Sequence, residues 1–587
     1  MAAGRVALCF VDSDNEFQQV ARQDGEAAAR QAGLDVETLW SGPKLADQLT
    51  QVRGLVDSPT PPKAILIMAV RDQGLGRIAR DAALRGWSTA LVEKDDFAFG
   101  TSSRSSKIVH GGVRYLEYGQ FLLVRESARE RRVLRDIAPH LVHRLDFLYP
   151  VFAPDSLIKI RAGLSVFDWL ADSETADKHR MLSPEEVRER LPGLRDPLRG
   201  AVQYVEYITD DARLTLENVQ SAAAHGAYVA NHAKAEAFFR GADGRVEGAR
   251  VRDALDGTVY EVRARMVVNA GGPWAQEILE ASELPVEKSL RPSKGIHLLF
   301  AADRLPIEGA TFLKAANGRR GLAMRRLDYV YVGTSDDEYT GSLEAPRATR
   351  ADVLDLLAMV QDCFPDAELT IDDVLATWAG IRPLIAEEGK TTRDTSREDE
   401  LWHGPEGLLT IAGGKLTTYR RMGGRVIEEL AHTLGDPPGP DRTTEVSLPG
   451  APEGDVTAWV GERLDRMRDA GVDQETLDRL GFLYGTQLDD LLAFAREDPR
   501  WLAPLGSGVP ALRGEVRLSV EREMALTLAD FMDRRGALLL FTPEWGLAGA
   551  EEAARIMADL LDWDDNRRDH EVEAYRQLAT EHGVPDA

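Results

Sequence analysis

Four short strings in this chain carry glycines beside strands, and three of them add hydroxyls and cations in a way that suits binding an anionic group. Gly100–Glu117, GTSSRSSKIVHGGVRYLE, sets Thr101, Ser102 and Ser103 ahead of Lys107, His110, Gly111, Gly112, Arg114 and Tyr115. Small hydroxyl residues let backbone approach a ligand closely, and the cations that follow suit phosphate. Read alone, the string is equally a polar loop entering a helix. Glu93 closes the preceding strand, where dinucleotide folds use an acid to accept hydrogen bonds from ribose hydroxyls. Strand ends are also often acidic for solvation alone. Val267–Trp274, VVNAGGPW, is an apolar strand running into Gly271 and Gly272, by itself usually a tight turn. Ala412–Arg420, AGGKLTTYR, leads from a strand through Gly413 and Gly414 to Lys415, Leu416 and Thr417, and amides at a helix start bind anions. In TWAGIRPL, Arg382 is either a solvated charge or a forked phosphate clamp.

The elements around these strings read as follows. Strands are expected over Val6–Val11, Val36–Trp40, Ala64–Val70 and Thr89–Glu93, with helices over Glu16–Ala32, Leu45–Val56 and Leu75–Arg85 between them. Alternation at this spacing predicts a parallel, doubly wound sheet. A long charged helix is expected over Phe121–Ile137, then a strand-rich region in which Arg245–Arg252 and Thr258–Val268 look paired. After Gly435–Asp441, GDPPGPD, helical spacing prevails in Thr457–Ala470, Gln474–Tyr484 and Val516–Arg534.

Bulk properties narrow the function. With 587 residues, several domains are needed. The net charge of −26 argues against nucleic acid as a partner and against a polybasic membrane anchor. An anionic substrate therefore needs a local cluster of Arg and Lys working against the global field. Only Cys9 and Cys363 are present, so a disulfide framework or a cysteine metal site is not expected, and no metal is. The absence of a signal-like start or a membrane-length apolar run points to the cytoplasm.

Taken in order, GTSSRSSKIVHGGVRYLE, DDARLTLEN (Asp210–Asn218), NAGGPWA, SKGIHL (Ser293–Leu298), VGTSDDEY (Val332–Tyr339), AGIRPL and GGKLTTYR resemble the FAD-dependent, aerobic glycerol-3-phosphate dehydrogenases and related oxidases, from about Ile78 to the C-terminus. The resemblance implies an α/β plus α+β fold: a glutathione-reductase-like FAD domain, a sheet-based substrate domain and a C-terminal helical domain. It also implies hydride transfer from C2 of sn-glycerol 3-phosphate to FAD, giving dihydroxyacetone phosphate, with electrons passing to quinone or, in the oxidases, to oxygen. On matching positions, Arg114, Tyr115, Arg382 and Lys415 would bind substrate. His297 would take or relay the hydroxyl proton, set against the reading of a hydrogen-bonded core histidine, and Arg382 would join it in catalysis. Glu93, Thr101, Ser102, Ser103, Lys107, His110, Gly111, Gly112, Gly271, Gly272, Gly413, Gly414, Leu416 and Thr417 would meet FAD. Further implied partners are a membrane surface, met peripherally from the inner face of the cytoplasmic membrane, and a second copy in a homodimer.

The family's opening glycine-rich fingerprint is replaced. Aligned back from IARDAALRG (Ile78–Gly86), its three glycines fall on Val70, Asp72 and Leu75. These glycines serve for a tight turn, for room beside the pyrophosphate and for close packing. The residues before them resemble the first half-lobe of type I periplasmic sugar-binding proteins, which suggests a fusion joined within Arg77–Gly86. The expected division is an atypical βαβ segment over 1–90 standing in for the start of the FAD domain, interleaved FAD and substrate domains over 91–435, and a helical domain over 442–587. Rival readings are a pseudo-enzyme of the same fold that has lost tight FAD binding, and a ligand sensor using the opening segment.

Overall fold

The computed structural model describes residues 75–113, 120–171, 177–386 and 399–585, together with the strands Arg5–Phe10, Asp35–Trp40 and Ala64–Ala69. The helices expected over Glu16–Ala32 and Leu45–Val56 lie outside the described residues.

The four opening strands do not share one sheet. Arg5–Phe10 and Asp35–Trp40 pair in parallel as a two-stranded sheet of their own. Ala64–Ala69 instead lies between Met266–Ala270 and Ser88–Glu93, parallel to both, in a six-stranded sheet that continues through Leu408–Ala412 to Glu400–His403 on one side and to Tyr228–Ala230 on the other. Thus the third opening strand is built into the same sheet as Met266–Ala270 and Leu408–Ala412. Met266–Ala270 is buried along its whole length, as a strand covered on both faces of a parallel sheet must be. The stretch expected as one strand over Thr258–Val268 divides: Val259–Arg263 pairs with Val246–Asp253 in a three-stranded sheet, and only after Ala264 and Arg265 does the chain enter the six-stranded one.

Helix Leu75–Leu84 follows Ala64–Ala69 and packs on helix Asp211–Ala224. Contact is closest at Gly76, where a Cβ would come within 2.7 Å of Val219 Cγ2 and 3.1 Å of its backbone nitrogen. A close-packing glycine is thus kept, one residue past the aligned position at Leu75. Helix Tyr419–Leu434 ends where Gly435 adopts φ 62°, which accounts for the break at GDPPGPD.

A second, ten-stranded sheet carries the central region. Near one end of it, Leu290–Ala301 pairs antiparallel with Tyr329–Gly333 on one edge and with Ala376–Ile385 on the other. Helix Phe121–Ile137 forms where expected, burying Val124, Leu134 and Ile137.

The last region is helical, through Val456–Asp469, Gln474–Leu483, Gln487–Glu497, Arg513–Glu523, Leu547–Leu561 and Asp565–Glu581. The helix expected over Val516–Arg534 breaks at Met524, which takes φ 53°, and coiling resumes as a π-helix over Asp530–Arg535. The break turns Arg534 and Arg535 onto buried Asp96, three residues past Glu93, while Arg213 meets Glu523 in a buried two-pronged pair.

Candidate active site

Strand register builds the site. His297 stands directly opposite Trp378, Gly295 opposite Gly380 and Ser293 opposite Arg382. Directly opposed residues of an antiparallel pair point to the same face, and side chains alternate along each strand. Ser293, Gly295 and His297 therefore share one face with Trp378, Gly380 and Arg382. Gly295 is what lets Arg382 lie across that face, since a Cβ there would overlap the guanidinium. The loop after Gly100 covers the same face: Arg104 backbone oxygen lies 2.5 Å from where a Gly380 Cβ would be, and Thr101 Oγ1 donates to Ile381 O at 2.7 Å.

His297 is buried, 2% exposed, with its ring stacked on Trp378 at 4.5 Å and 9°. Its Nε2 is 2.8 Å from Ser106 Oγ, whereas Nδ1 is buried with no hydrogen-bond partner. Burial, then the positive charges of Arg382 and Lys107, hold its pKa well below the ordinary imidazole value, so it is neutral. A neutral imidazole carries one N–H, and an unpartnered buried N–H costs about 1–3 kcal/mol. The proton therefore belongs on Nε2, facing Ser106, and Nδ1 presents a bare lone pair.

Arg382 is partly open, 23% exposed by side chain. Its Nη1 donates to Ser335 O at 3.1 Å and to Asp336 Oδ1 at 3.3 Å, and its Nη2 to Thr334 Oγ1 at 2.9 Å. The fork is thus held in place on its rim while part of it stays accessible.

The other expected residues gather around the C-terminal edge of the six-stranded sheet and the roofing loop. Glu93 ends its strand and is buried, its Oε1 accepting from Asp95 N at 3.3 Å. Ser102 and Ser103 are buried, and Ser102 Oγ has no partner in the fold. Lys107 turns inward: its amine donates to Ser103 O at 2.9 Å and ion-pairs with Asp211, pinning the loop to the helix start at Asp210. Asp210 in turn accepts from Arg326 at 2.9 Å. The two glycine strings are tied together, because Thr417 Oγ1 accepts from His110 N at 3.0 Å and donates to His110 O at 3.1 Å. Gly111 N donates to Glu206 Oε2, which also meets Arg131; Gly112 follows at the end of this loop. Gly271 N donates to Asn269 Oδ1, and Gly272 opens the turn after Met266–Ala270. Gly413 and Gly414 take φ 80° and 102°, a turn closed to most side chains, which delivers Lys415 half-buried and Leu416 buried beside Thr417. Arg114 and Tyr115 lie outside the described residues, as do Val70 and Asp72.

A buried acid at a parallel strand end, an orphaned hydroxyl at Ser102, an orphaned ring nitrogen at His297 and a glycine turn opposite them fit a flavin dinucleotide laid along this edge. Sequence reasoning missed Ser106, Trp378, Thr334 and Asp336. The signal was present for one of them: in W-x-G-x-R, a period of two puts Trp378, Gly380 and Arg382 on one face.

Residues 77–420 match the family model described as FAD dependent oxidoreductase, and residues 441–568 match that of the C-terminal domain of alpha-glycerophosphate oxidase. Fold and site together therefore define an FAD-dependent oxidoreductase. The aerobic glycerol-3-phosphate dehydrogenase of Staphylococcus epidermidis is 35% identical over 503 residues, covering 84% of this chain and 90% of that protein. That of Staphylococcus aureus is 35% identical over 511 residues, 85% and 90% of the two chains. The crystal structure of the glycerol-3-phosphate dehydrogenase from Bacillus halodurans, complexed with FAD, superposes with a TM-score of 0.76 at 31% identity, over 92% of this chain and 98% of that one. The chain belongs to the aerobic glycerol-3-phosphate dehydrogenase family.

Proposed function

We propose that this protein oxidises sn-glycerol 3-phosphate to dihydroxyacetone phosphate and passes the electrons to a quinone. The observation that carries the reading is the pairing, on one sheet face, of a forked cation with a neutral histidine: Arg382 lies across Gly295, two residues from His297. Arg382, with Lys415 and Arg114, holds the phosphate dianion by charge-assisted hydrogen bonds. His297 takes the proton of the C2 hydroxyl at Nδ1, its ring nitrogen without a hydrogen-bond partner. Bound FAD supplies the acceptor for the hydride that leaves C2. Glu93, Ser102, Ser103, His110, Gly111, Gly112, Gly271, Gly272, Gly413, Gly414 and Thr417 line its berth, while Thr101, Lys107 and Leu416 act from behind by fixing the loops.

Quinone as acceptor is supported by an exposed apolar face. Phe121 and Leu122 open one helix, and Ile158 and Trp169 project from Leu157–Leu170, all more than half exposed and flanked by exposed Lys159 and Arg161. No described helix is long and apolar enough to cross a membrane, so contact there would be made at the bilayer surface.

The test is a purified, FAD-supplemented enzyme given glycerol 3-phosphate and a short-chain quinone analogue. Dihydroxyacetone phosphate should form in step with quinone reduction. Flavin-loaded protein that yields none refutes the substrate, and peroxide in place of quinol refutes the acceptor.

A further inference from the structure

Ser106 makes no contact that its sequence neighbours would dictate, and yet it is held from three sides. Tyr331 hydroxyl donates to its carbonyl at 3.0 Å. Trp378 Nε1 donates to the carbonyl of Ser105 at 3.4 Å, and the hydroxyl of Ser105 donates to Asp211 Oδ2 at 2.6 Å. On the other side, the Lys107 amine is anchored by Asp211 and by Ser103 O. With both flanking residues fixed, the Ser106 hydroxyl has one place to go, 2.8 Å from His297 Nε2. The imidazole is itself confined, stacked on Trp378 on one side and pressed against Gly333 on the other, where a Cβ would meet the ring.

We propose that Ser106 is the positioning residue of the reaction: its oxygen accepts the Nε2–H of His297 and so leaves Nδ1 as the atom that receives the substrate proton. The inference rests on the reading of His297 as proton acceptor given above. In the step concerned, the C2 oxygen–hydrogen bond breaks and its proton moves to Nδ1. The hydride leaving C2 would be taken up by the flavin that these residues would hold, and the oxygen lone pair closes the carbonyl. The resulting imidazolium keeps its Nε2–H on Ser106, so the hydroxyl stabilises the charge formed as well as the tautomer that precedes it. The charged and titratable groups facing this ring are Arg382 from its neighbouring strand, with Asp336 against the guanidinium; Lys107 from the loop, paired to Asp211; and Tyr331 from the opposite strand.

Two measurements test this on the FAD-loaded full chain. The first needs no substitution. Nitrogen-15 spectra of the histidine-labelled enzyme, with the His297 signals assigned by their absence in His297→Asn, should show Nε2 protonated and Nδ1 bare; a protonated Nδ1 overturns the proposal. The second compares Ser106→Ala with Ser106→Thr. The alanine variant is expected to lose about 10- to 100-fold in kcat, the usual consequence of removing an orienting partner, with unchanged flavin content and KM. Its acidic kcat limb should move to lower pH, because the imidazolium has lost an acceptor. Threonine, which restores the oxygen, should recover most of the rate and return the limb. An alanine variant with the parent rate and limb, while His297→Asn is inactive, overturns the role of Ser106 and leaves that of His297 standing. A His297→Asn enzyme as fast as the parent overturns both.

Discussion

The rings of His297 and Trp378 lie 4.5 Å apart and 9° from parallel, on directly opposed residues of two antiparallel strands. Trp378 is also the largest fully buried side chain among the described residues. Truncating it to alanine should cost about 3–5 kcal/mol in denaturant unfolding, because a buried indole leaves a cavity that strands cannot collapse into. Trp378→Phe keeps an aromatic face beside the imidazole and should retain the fold while slowing turnover. A phenylalanine variant with the parent kcat would show that the stack serves packing alone.

Gly295→Ala should separate binding from stability. The added methyl overlaps the guanidinium of Arg382 and the hydroxyl of Thr334, both side-chain ends, so these shift and the strand does not. Thermal unfolding should change little. A displacement on the order of 1 Å at a clamp costs about 100-fold in kcat/KM, and steady-state kinetics with glycerol 3-phosphate reads it. Parent kinetics in this variant would remove Arg382 from the substrate site.

The junction between the helical domain and the FAD sheet should weaken in alkali. Burial by itself would lower the His232 pKa, but the Asp530 carboxylate at 2.9 Å raises it to about 9. A folded pKa above the unfolded value of about 6.5 stabilises fully below that value and is lost as pH rises through 9. The linked stability is on the order of 3 kcal/mol, to be read as a falling unfolding free energy between pH 6.5 and 9.5. Asp530→Asn should flatten that slope; an undiminished slope in it assigns the effect elsewhere.

Gly76→Ala puts a methyl against the backbone of helix Asp211–Ala224, which cannot yield as a side-chain tip can. A loss of about 1–3 kcal/mol is expected, together with lower flavin content, since this helix follows the strand that enters the pyrophosphate region. Restoring glycine at Val70, Asp72 and Leu75 should act the other way and raise FAD uptake, measured by flavin absorbance after purification. No gain would mean that pyrophosphate is held by other residues.

Most of the fold from Ile78 onward was legible because its strings are long and ordered, and because apolar runs such as MVVNA that end in paired glycines fit a strand covered on both faces. Pairing was not legible. Val259–Arg263 and Met266–Ala270 are separated by two residues, and no local property of that stretch says that they enter different sheets. Nor does any local signal distinguish the opening strands Arg5–Phe10 and Asp35–Trp40 from Ala64–Ala69. Among site residues, Lys107 is placed at FAD by its position in the family's string, and no local signal names its ion-pair partner. Its buried carboxylate partner, Asp211, lies a hundred residues away.

By itself, the sequence determined the family and the cofactor class, because those depend on residue types and their order, which motifs record directly. It also determined that the pyrophosphate fingerprint is replaced. The tertiary structure decided what the charges and hydroxyls do. It set Lys107 on Asp211, spread Arg382 over Gly295 and gave His297 a neutral ring with Ser106 at one nitrogen and nothing at the other. Protonation state and hydrogen-bond partner are set by burial and by groups brought close from distant parts of the chain, and neither is a property of any local run of residues.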